Sequence, residues 1–223
     1  MMHADYQRRA YLQAMGIDVW LPRESVDPEP VADAQSAAAM GWGELRDCVA
    51  ACTRCDLSRT RTNTVFGGGD PNADWLIVGE APGAEEDRRG EPFVGRAGKL
   101  LDEMLRAIGQ SRDSVFIANI LKCRPPNSRD PKPSESAECR PYLERQIALV
   151  QPKIILAVGR IAAQNLLGSD EPVGRMRGRH HDLHGIPLVV TYHPAYLLRS
   201  PSQKSKSWSD LCLATRLAAE SAA

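Results

Sequence analysis

Asp74-Trp75-Leu76-Ile77-Val78-Gly79-Glu80 is the stretch from which the fold can be read. Four large apolar residues in a row leave no polar face, so the run suits a strand buried on both sides, and Gly79 ends it. The pattern returns at Val115-Phe116-Ile117-Ala118-Asn119, at Ile154-Ile155-Leu156-Ala157-Val158 and at Pro187-Leu188-Val189-Val190-Thr191. Helical patterns lie between these runs. Leu100, Leu101, Met104, Leu105 and Ile108 make one apolar stripe, closed by Gly109, and Cys139, Leu143, Ile147 and Val150 make another ahead of Pro152. Strand–helix alternation with continuously apolar strands implies an α/β domain whose parallel sheet is covered on both faces.

Polar or unusual residues follow each strand: Glu80, Asn119, Gly159-Arg160 and His193. In an open parallel sheet, ligands bind in the crevice beyond the carboxyl ends of the strands. A carboxylate, an amide and an imidazole would meet there. Any one of them alone reads as a loop residue or helix cap, whereas the convergence of three marks an active site.

The chain has 223 residues, enough for one full core and short for two. Lys+Arg and Asp+Glu number 28 each, so net charge gives no sign of a nucleic-acid partner, and any DNA contact must come from local basic patches. No apolar stretch is long enough to span a bilayer and no export signal opens the chain, so a cytoplasmic protein is expected, without membrane contact. The six cysteines are then poor disulfide candidates, and metal ligation or plain burial is expected of them. Residues 1–43 differ from the rest. An amphipathic stretch, Tyr11 to Trp20, precedes a Pro-, Ala- and acid-rich run that reads as a linker, and the compact domain is expected over 44–223.

Gly79-Glu80-Ala81-Pro82-Gly83, Pro92-Phe93-Val94-Gly95, Asn119-Ile120-Leu121-Lys122-Cys123-Arg124-Pro125-Pro126 and His193-Pro194-Ala195-Tyr196-Leu197-Leu198 occur in that order. Together they closely resemble the signature of the family 4 (iron–sulfur) uracil-DNA glycosylases, from about Cys48 to Leu213. The resemblance implies a three-layer αβα glycosylase fold with a central four-stranded parallel sheet. It also implies an enzyme that hydrolyses the N-glycosidic bond of deoxyuridine in single- and double-stranded DNA, leaving an abasic site. Such an enzyme is expected to be a monomer associated with the nucleoid.

The resemblance gives each site residue a role. Phe93 matches the aromatic that stacks on the flipped base, although composition alone favours a core Phe. Asn119 matches the amide that donates to uracil O4 and accepts from N3–H, a pattern that cytosine reverses. His193 matches the catalytic histidine, a donor to the charge that develops on uracil O2. In the best-known branch of the superfamily an aspartate directly after the position of Glu80 orients the attacking water. Ala81 stands there, so water positioning falls to Glu80, and the Ala81 turn offers backbone N–H groups to O2. Glu86 matches a position beside the uracil C5 edge, where bulk excludes a thymine methyl. Leu197 and Leu198 suit a wedge that fills the gap left by the flipped base, with Arg199 set for phosphate.

Cys52-x-x-Cys55 with Cys123 and Cys139 match the family's [4Fe–4S] ligands, a structural centre, with four-thiolate zinc as the physical alternative. Cys48 and Cys212 fall outside that pattern and are expected to be buried thiols. Arg175, Arg177 and Arg179, Lys204 and Lys206, and Lys122 with Arg124 form basic patches suited to phosphates. Gly67-Gly68-Gly69 lacks the Lys-Ser/Thr of a nucleotide-binding loop and reads as a turn.

Two rivals share the fold. A covalently bonding relative carries a histidine in the loop before the stacking Phe, and Glu85–Glu91 contains none. The other is the psi subunit of the bacterial polymerase III clamp loader, a non-catalytic glycosylase-like fold whose N-terminal peptide residues 11–20 resemble. That resemblance implies the chi subunit of DNA polymerase III as a partner through residues 11–20. The intact pocket motifs favour the enzyme.

Overall fold

The computed structural model describes residue 15 and residues 37–221. The N-terminal stretch 11–20 therefore lies, apart from Met15, outside the described residues. The elements treated below belong to the unit Val31–Ala223.

Ala37 is already buried in the core ahead of helix α1 (Trp42–Ala51), and the short strand β1 (Gly68–Gly69) and β2 (Trp75–Gly79) follow. Two helices, α2 (Ala84–Arg89) and α3 (Arg96–Ala107), lead to β3 (Val115–Asn119). Next come α4 (Pro133–Val150), β4 (Ile154–Val158), α5 (Arg160–Leu167) and α6 (Val173–Met176). The chain closes with β5 (His180–Leu183), β6 (Ile186–Thr191), α7 (Pro194–Arg199) and α8 (Lys204–Glu220).

The sheet runs β1-β3-β2-β4-β6-β5. Its four central strands are parallel, as expected, and every residue of β2, β3 and β4 is buried. Successive side chains point to opposite faces, so each strand feeds two cores. Leu76, Val78, Ile155 and Val190 meet Leu45, Tyr142, Leu143 and Ala162, from α1, α4 and α5. Trp75, Ile77, Leu156 and Val189 meet Leu101, Leu105, Leu197 and Leu211, from α3, α7 and α8. These are the three layers. The chain leaves β2 toward β3 on one side and leaves β4 toward β6 on the other, which puts the topological switch point between the ends of β2 and β4.

The structure adds two antiparallel edge strands. β1 pairs with β3, so Gly68 and Gly69, read as part of a turn, belong to the sheet. β5 pairs with β6. Neither could be read from periodicity: two glycines have no side chains to alternate, and His180–Leu183 is short, polar and partly exposed.

Several charges read as phosphate contacts are engaged within the protein itself, Arg177 and Lys122 in its interior and Arg179 in a surface ion pair. Arg177 makes two hydrogen bonds to the wholly buried carboxylate of Asp210, at 3.0 and 2.8 Å, and lies 5.5 Å over the Tyr192 ring. Lys122 is buried, and Arg179 pairs with Glu171 at 3.1 Å. Cys212 is exposed on the outer face of α8, and Cys48 is half-buried beside Tyr142, so neither is a fully buried thiol. Among the described residues no helix is long and apolar enough to cross a membrane.

Candidate active site

A cleft of about 670 Å³ opens at the carboxyl ends of the parallel strands. Glu80, Ala81, Glu86, Phe93, Asn119 and His193, named from the sequence, all line it, as does Arg199. Its floor depends on Gly79. A Cβ there would lie 2.4 Å from Asn119 Oδ1 and 2.6 Å from Phe93 Cζ, so only a residue without a side chain lets the amide and the ring come this close.

Asn119 ends β3 and is 1 % exposed, yet its Oδ1 has no hydrogen-bond partner. A buried acceptor left unpaired costs about 1–3 kcal/mol, and a ligand N–H would satisfy it. Phe93 sits in the turn between α2 and α3 with φ at +52°, a conformation rare for a bulky residue. Strain of this kind persists where the surroundings over-determine it. Here Arg112 does so: its guanidinium donates to Pro92 O at 3.0 Å and to Phe93 O, while its Nε is held by Asp102 at 2.6 Å. Sequence reasoning missed this clamp because Arg112 and Phe93 lie 19 residues apart.

His193 follows β6 and caps α7, its Nδ1 accepting from the Ala195 N–H at 3.1 Å. That bond leaves the proton on Nε2 in the neutral ring. Burial, with help from the nearby Arg199 cation and against the pull of Glu86, lowers the His193 pKa to about 4. The imidazole is therefore an uncharged donor at neutral pH. Gly159, with φ at +101°, leaves room for it: a Cβ there would lie 2.9 Å from His193 Cβ. The Phe93 and His193 rings are 5.7 Å apart at 29°. A flat base between them would need roughly 7 Å, two van der Waals contacts of carbon on carbon, so this spacing leaves no room for one stacked between the two rings.

Glu80 stands just past β2. Burial raises its pKa to about 7, Asp130 adds to the rise and Arg160 opposes it. Asp130 and Arg160 are themselves paired at 2.6 Å. Glu86 accepts from Gly95 N at 2.9 Å, which fixes its carboxylate in the wall of the cleft. Arg129, also in the lining, makes a twofold ion pair with the buried Glu135 and so anchors the Pro-rich loop.

The sequence Pro194-Ala195-Tyr196-Leu197-Leu198 lies in helix α7. Leu197 is 1 % exposed and packed in the second core, so it is not free to act as a wedge. The exposed apolar surface belongs to Leu198 and Tyr196, at 37 % and 36 %. Tyr196 packs on Tyr192 with ring centroids 5.1 Å apart. Neither tyrosine was singled out from the sequence, though Tyr192 adjoins His193.

Cys52, Cys55, Cys123 and Cys139 line one small pocket away from the cleft, with Arg54, Arg61 and Lys122 around them. Arg61 donates to Cys123 Sγ at 3.1 Å, and Arg54 Nη1 is buried without a partner. Burial raises Cys55 and Cys123 and pushes Cys139 up to about 12, so a metal centre must displace their protons to bind. Arg61 and Lys122 beside four sulfurs, with Arg54 paired to Glu138 at 2.8 Å, suit an anionic thiolate centre. Among the described residues no three His, Cys, Asp or Glu groups are gathered to hold a single metal ion.

Residues 66–214 match the family model described as the uracil DNA glycosylase superfamily. The chain is 44 % identical over 170 residues to a type-4 uracil-DNA glycosylase of Archaeoglobus fulgidus, an overlap of 73 % of this chain and 85 % of that one. It is 45 % identical over 155 residues to a type-4 uracil-DNA glycosylase of Thermotoga maritima, covering 69 % and 81 %. A type-5 uracil-DNA glycosylase of Thermus thermophilus is 32 % identical over 152 residues, or 58 % of this chain and 68 % of its own. The chain belongs to the uracil DNA glycosylase superfamily and, within it, to the type-4 uracil-DNA glycosylases.

The Glu80 carboxyl is expected to titrate close to pH 7, and Asp130→Asn to lower that midpoint by removing a repelling charge. Carboxyl-selective NMR titration measures both. A midpoint in the ordinary glutamate range would show that water reaches the group.

Proposed function

We propose that the protein hydrolyses the N-glycosidic bond of deoxyuridine in DNA, releasing uracil and leaving an abasic site. The observation that carries this reading is the buried, unpartnered Oδ1 of Asn119 beside the ring of Phe93. Phe93 takes the base by its face. Asn119 Oδ1 accepts from N3–H while its amide donates to O4. Cytosine presents an acceptor at N3 and a donor at C4, so it leaves the buried amide unpaired.

As the bond from C1′ to N1 breaks, its electron pair stays on uracil. His193 Nε2–H donates to O2 and holds the growing charge. With a pKa of about 4 it stabilises the anion without giving up its proton, and uracil is protonated later by solvent. Glu80 holds a water, the water oxygen bonds to C1′, and its proton passes to the Glu80 carboxylate. Glu80 must be ionised for this step, so the rate is expected to rise with pH through about 7. Glu86 closes the C5 edge. Leu198 supplies the wedge, and Arg199 and Arg160 at the cleft meet phosphates.

Cys52, Cys55, Cys123 and Cys139 would hold a [4Fe–4S] cluster. The resemblance to type-4 relatives and the four-sulfur donor set, with Arg54, Arg61 and Lys122 in the same pocket, support that reading. Bound there, the group supplies a structural cross-link between the segment after α1, the loop after β3 and α4. For residues 11–20, resemblance to the psi peptide supports chi of the polymerase III clamp loader as partner, which would bring repair to newly copied DNA.

His193→Ala and Asn119→Ala are each expected to slow single-turnover uracil release by about 10²–10³-fold, with no strand cleavage and no borohydride-trapped adduct. Glu80→Gln is expected to flatten the rise with pH. Near-wild-type rates in both alanine variants would remove these residues from the reaction. Anaerobically purified protein is expected to be brown, with about four irons and four labile sulfides per chain. Stoichiometric zinc without sulfide would refute the cluster. Deleting residues 1–30, which keeps Ala37 and Met40 in the first core, is expected to abolish calorimetric binding of chi while sparing excision. Absence of heat with the full-length chain would refute the partner.

A further inference from the structure

Lys122 precedes a cysteine of the four-thiol pocket and looks, in the sequence, like one more basic residue for DNA. Its side chain is instead 1 % exposed. A lysine is almost never fully buried without a specific use for its charge or its donors. Its Nζ donates to the backbone carbonyl of Asn119 at 2.9 Å and to Gln146 Oε1 at 2.6 Å. Gln146, on α4, is itself wholly buried and turns its amide to the Phe66 carbonyl at 2.9 Å. The Lys122 carbonyl accepts from Val65 N at 2.8 Å, so the backbone carrying the lysine is pinned as well. Lys122 also lines the pocket of Cys52, Cys55, Cys123 and Cys139.

We infer that Lys122 is a positioning residue for Asn119. Its side chain loops back from the segment after β3 and clamps the peptide plane that follows Asn119. The direction of that plane sets the direction of the Cα–Cβ bond, and so where Oδ1 meets the base. Gln146 keeps the ammonium on that carbonyl by occupying a second of its three donors. One buried side chain thus joins the wall of the cysteine pocket to the residue that reads the base, which gives the cysteine centre a route to recognition as well as to rigidity. The inference rests on Asn119 being the uracil contact. Contribution to the cysteine pocket alone is the competing role, and the two separate by experiment.

Lys122→Met keeps the length of the side chain and removes its donors. Gln146→Leu removes the acceptor that holds the ammonium in place. Competitive inhibition by free uracil reads the base contact directly, and iron per chain with the circular dichroism spectrum reads the cysteine centre and the fold. Lys122→Met is expected to raise the inhibition constant for uracil by about tenfold or more, the effect of losing a charged hydrogen bond. Gln146→Leu should act in the same direction and less strongly, and iron content should stay unchanged in both. In an Asn119→Ala background, Lys122→Met should have no further effect on uracil inhibition, because the group it orients is gone.

Uracil inhibition unchanged in a folded Lys122→Met variant overturns the inference. Iron loss with uracil inhibition intact does too, and assigns the lysine to the cysteine pocket. An additive effect in the Asn119→Ala background also overturns it. If Lys122→Met fails to fold, Gln146→Leu decides by the same inhibition constant, an unchanged value overturning the inference. Wild-type uracil inhibition in Asn119→Ala alone refutes the reading of Asn119 and is distinguishable from all of these.

Discussion

The burial of the parallel sheet on both faces is the constraint from which the rest follows. Strands β2, β3 and β4 have no residue on which water can act, so polar chemistry is pushed to their ends. The switch in strand order opens a crevice there, and the chain places Glu80, Asn119, Gly159 and His193 around it in a few residues each. Gly79 then decides the depth of the crevice. With no Cβ at the end of β2, the Phe93 ring and the Asn119 amide close to within a base's reach of one another.

The same burial acts oppositely on the two titratable groups of the cleft. It raises Glu80 to about 7 and lowers His193 to about 4, in each case because the neutral form is cheaper to hold away from water. The consequences differ. A neutral imidazole, with Nδ1 occupied by a backbone N–H, is a fixed donor with nothing to titrate near pH 7. A carboxyl poised near neutrality can exchange a proton with water. The different protonation behaviour of the two groups is thus set by depth in the cleft and by neighbours.

Support for the site comes from charges that look from their side-chain types like DNA contacts. Arg112 holds the strained turn of Phe93, and Arg129 anchors the Pro-rich loop. Arg177 joins Asp210 on α8 to Tyr192 beside the histidine, and Lys122 bonds the end of β3. Each bonds backbone carbonyls or a buried carboxylate. The balanced composition of 28 basic and 28 acidic residues is consistent with this use. Arg175, Lys204 and Lys206 remain exposed, and Arg160 and Arg199 line the cleft.

The sequence alone was enough for the parallel α/β core, because residues such as Trp75–Val78 and Ile154–Val158 admit no polar face. It was also enough to bring Glu80, Asn119 and His193 to the cleft, because strand ends are contiguous with their strands in the chain. Tertiary structure alone decided the orphaned acceptor on Asn119, the Nε2 tautomer of His193 and the Arg112 clamp. It also decided the edge strands, the burial of Leu197 rather than Leu198, and the engagement of Lys122 and Arg177. These depend on which segments distant in the chain meet in space, as Arg177 and Asp210 do across 33 residues. Side-chain type says what a residue can bond. Only the packing of the layers determines which partner is near enough, and whether water remains to compete for it.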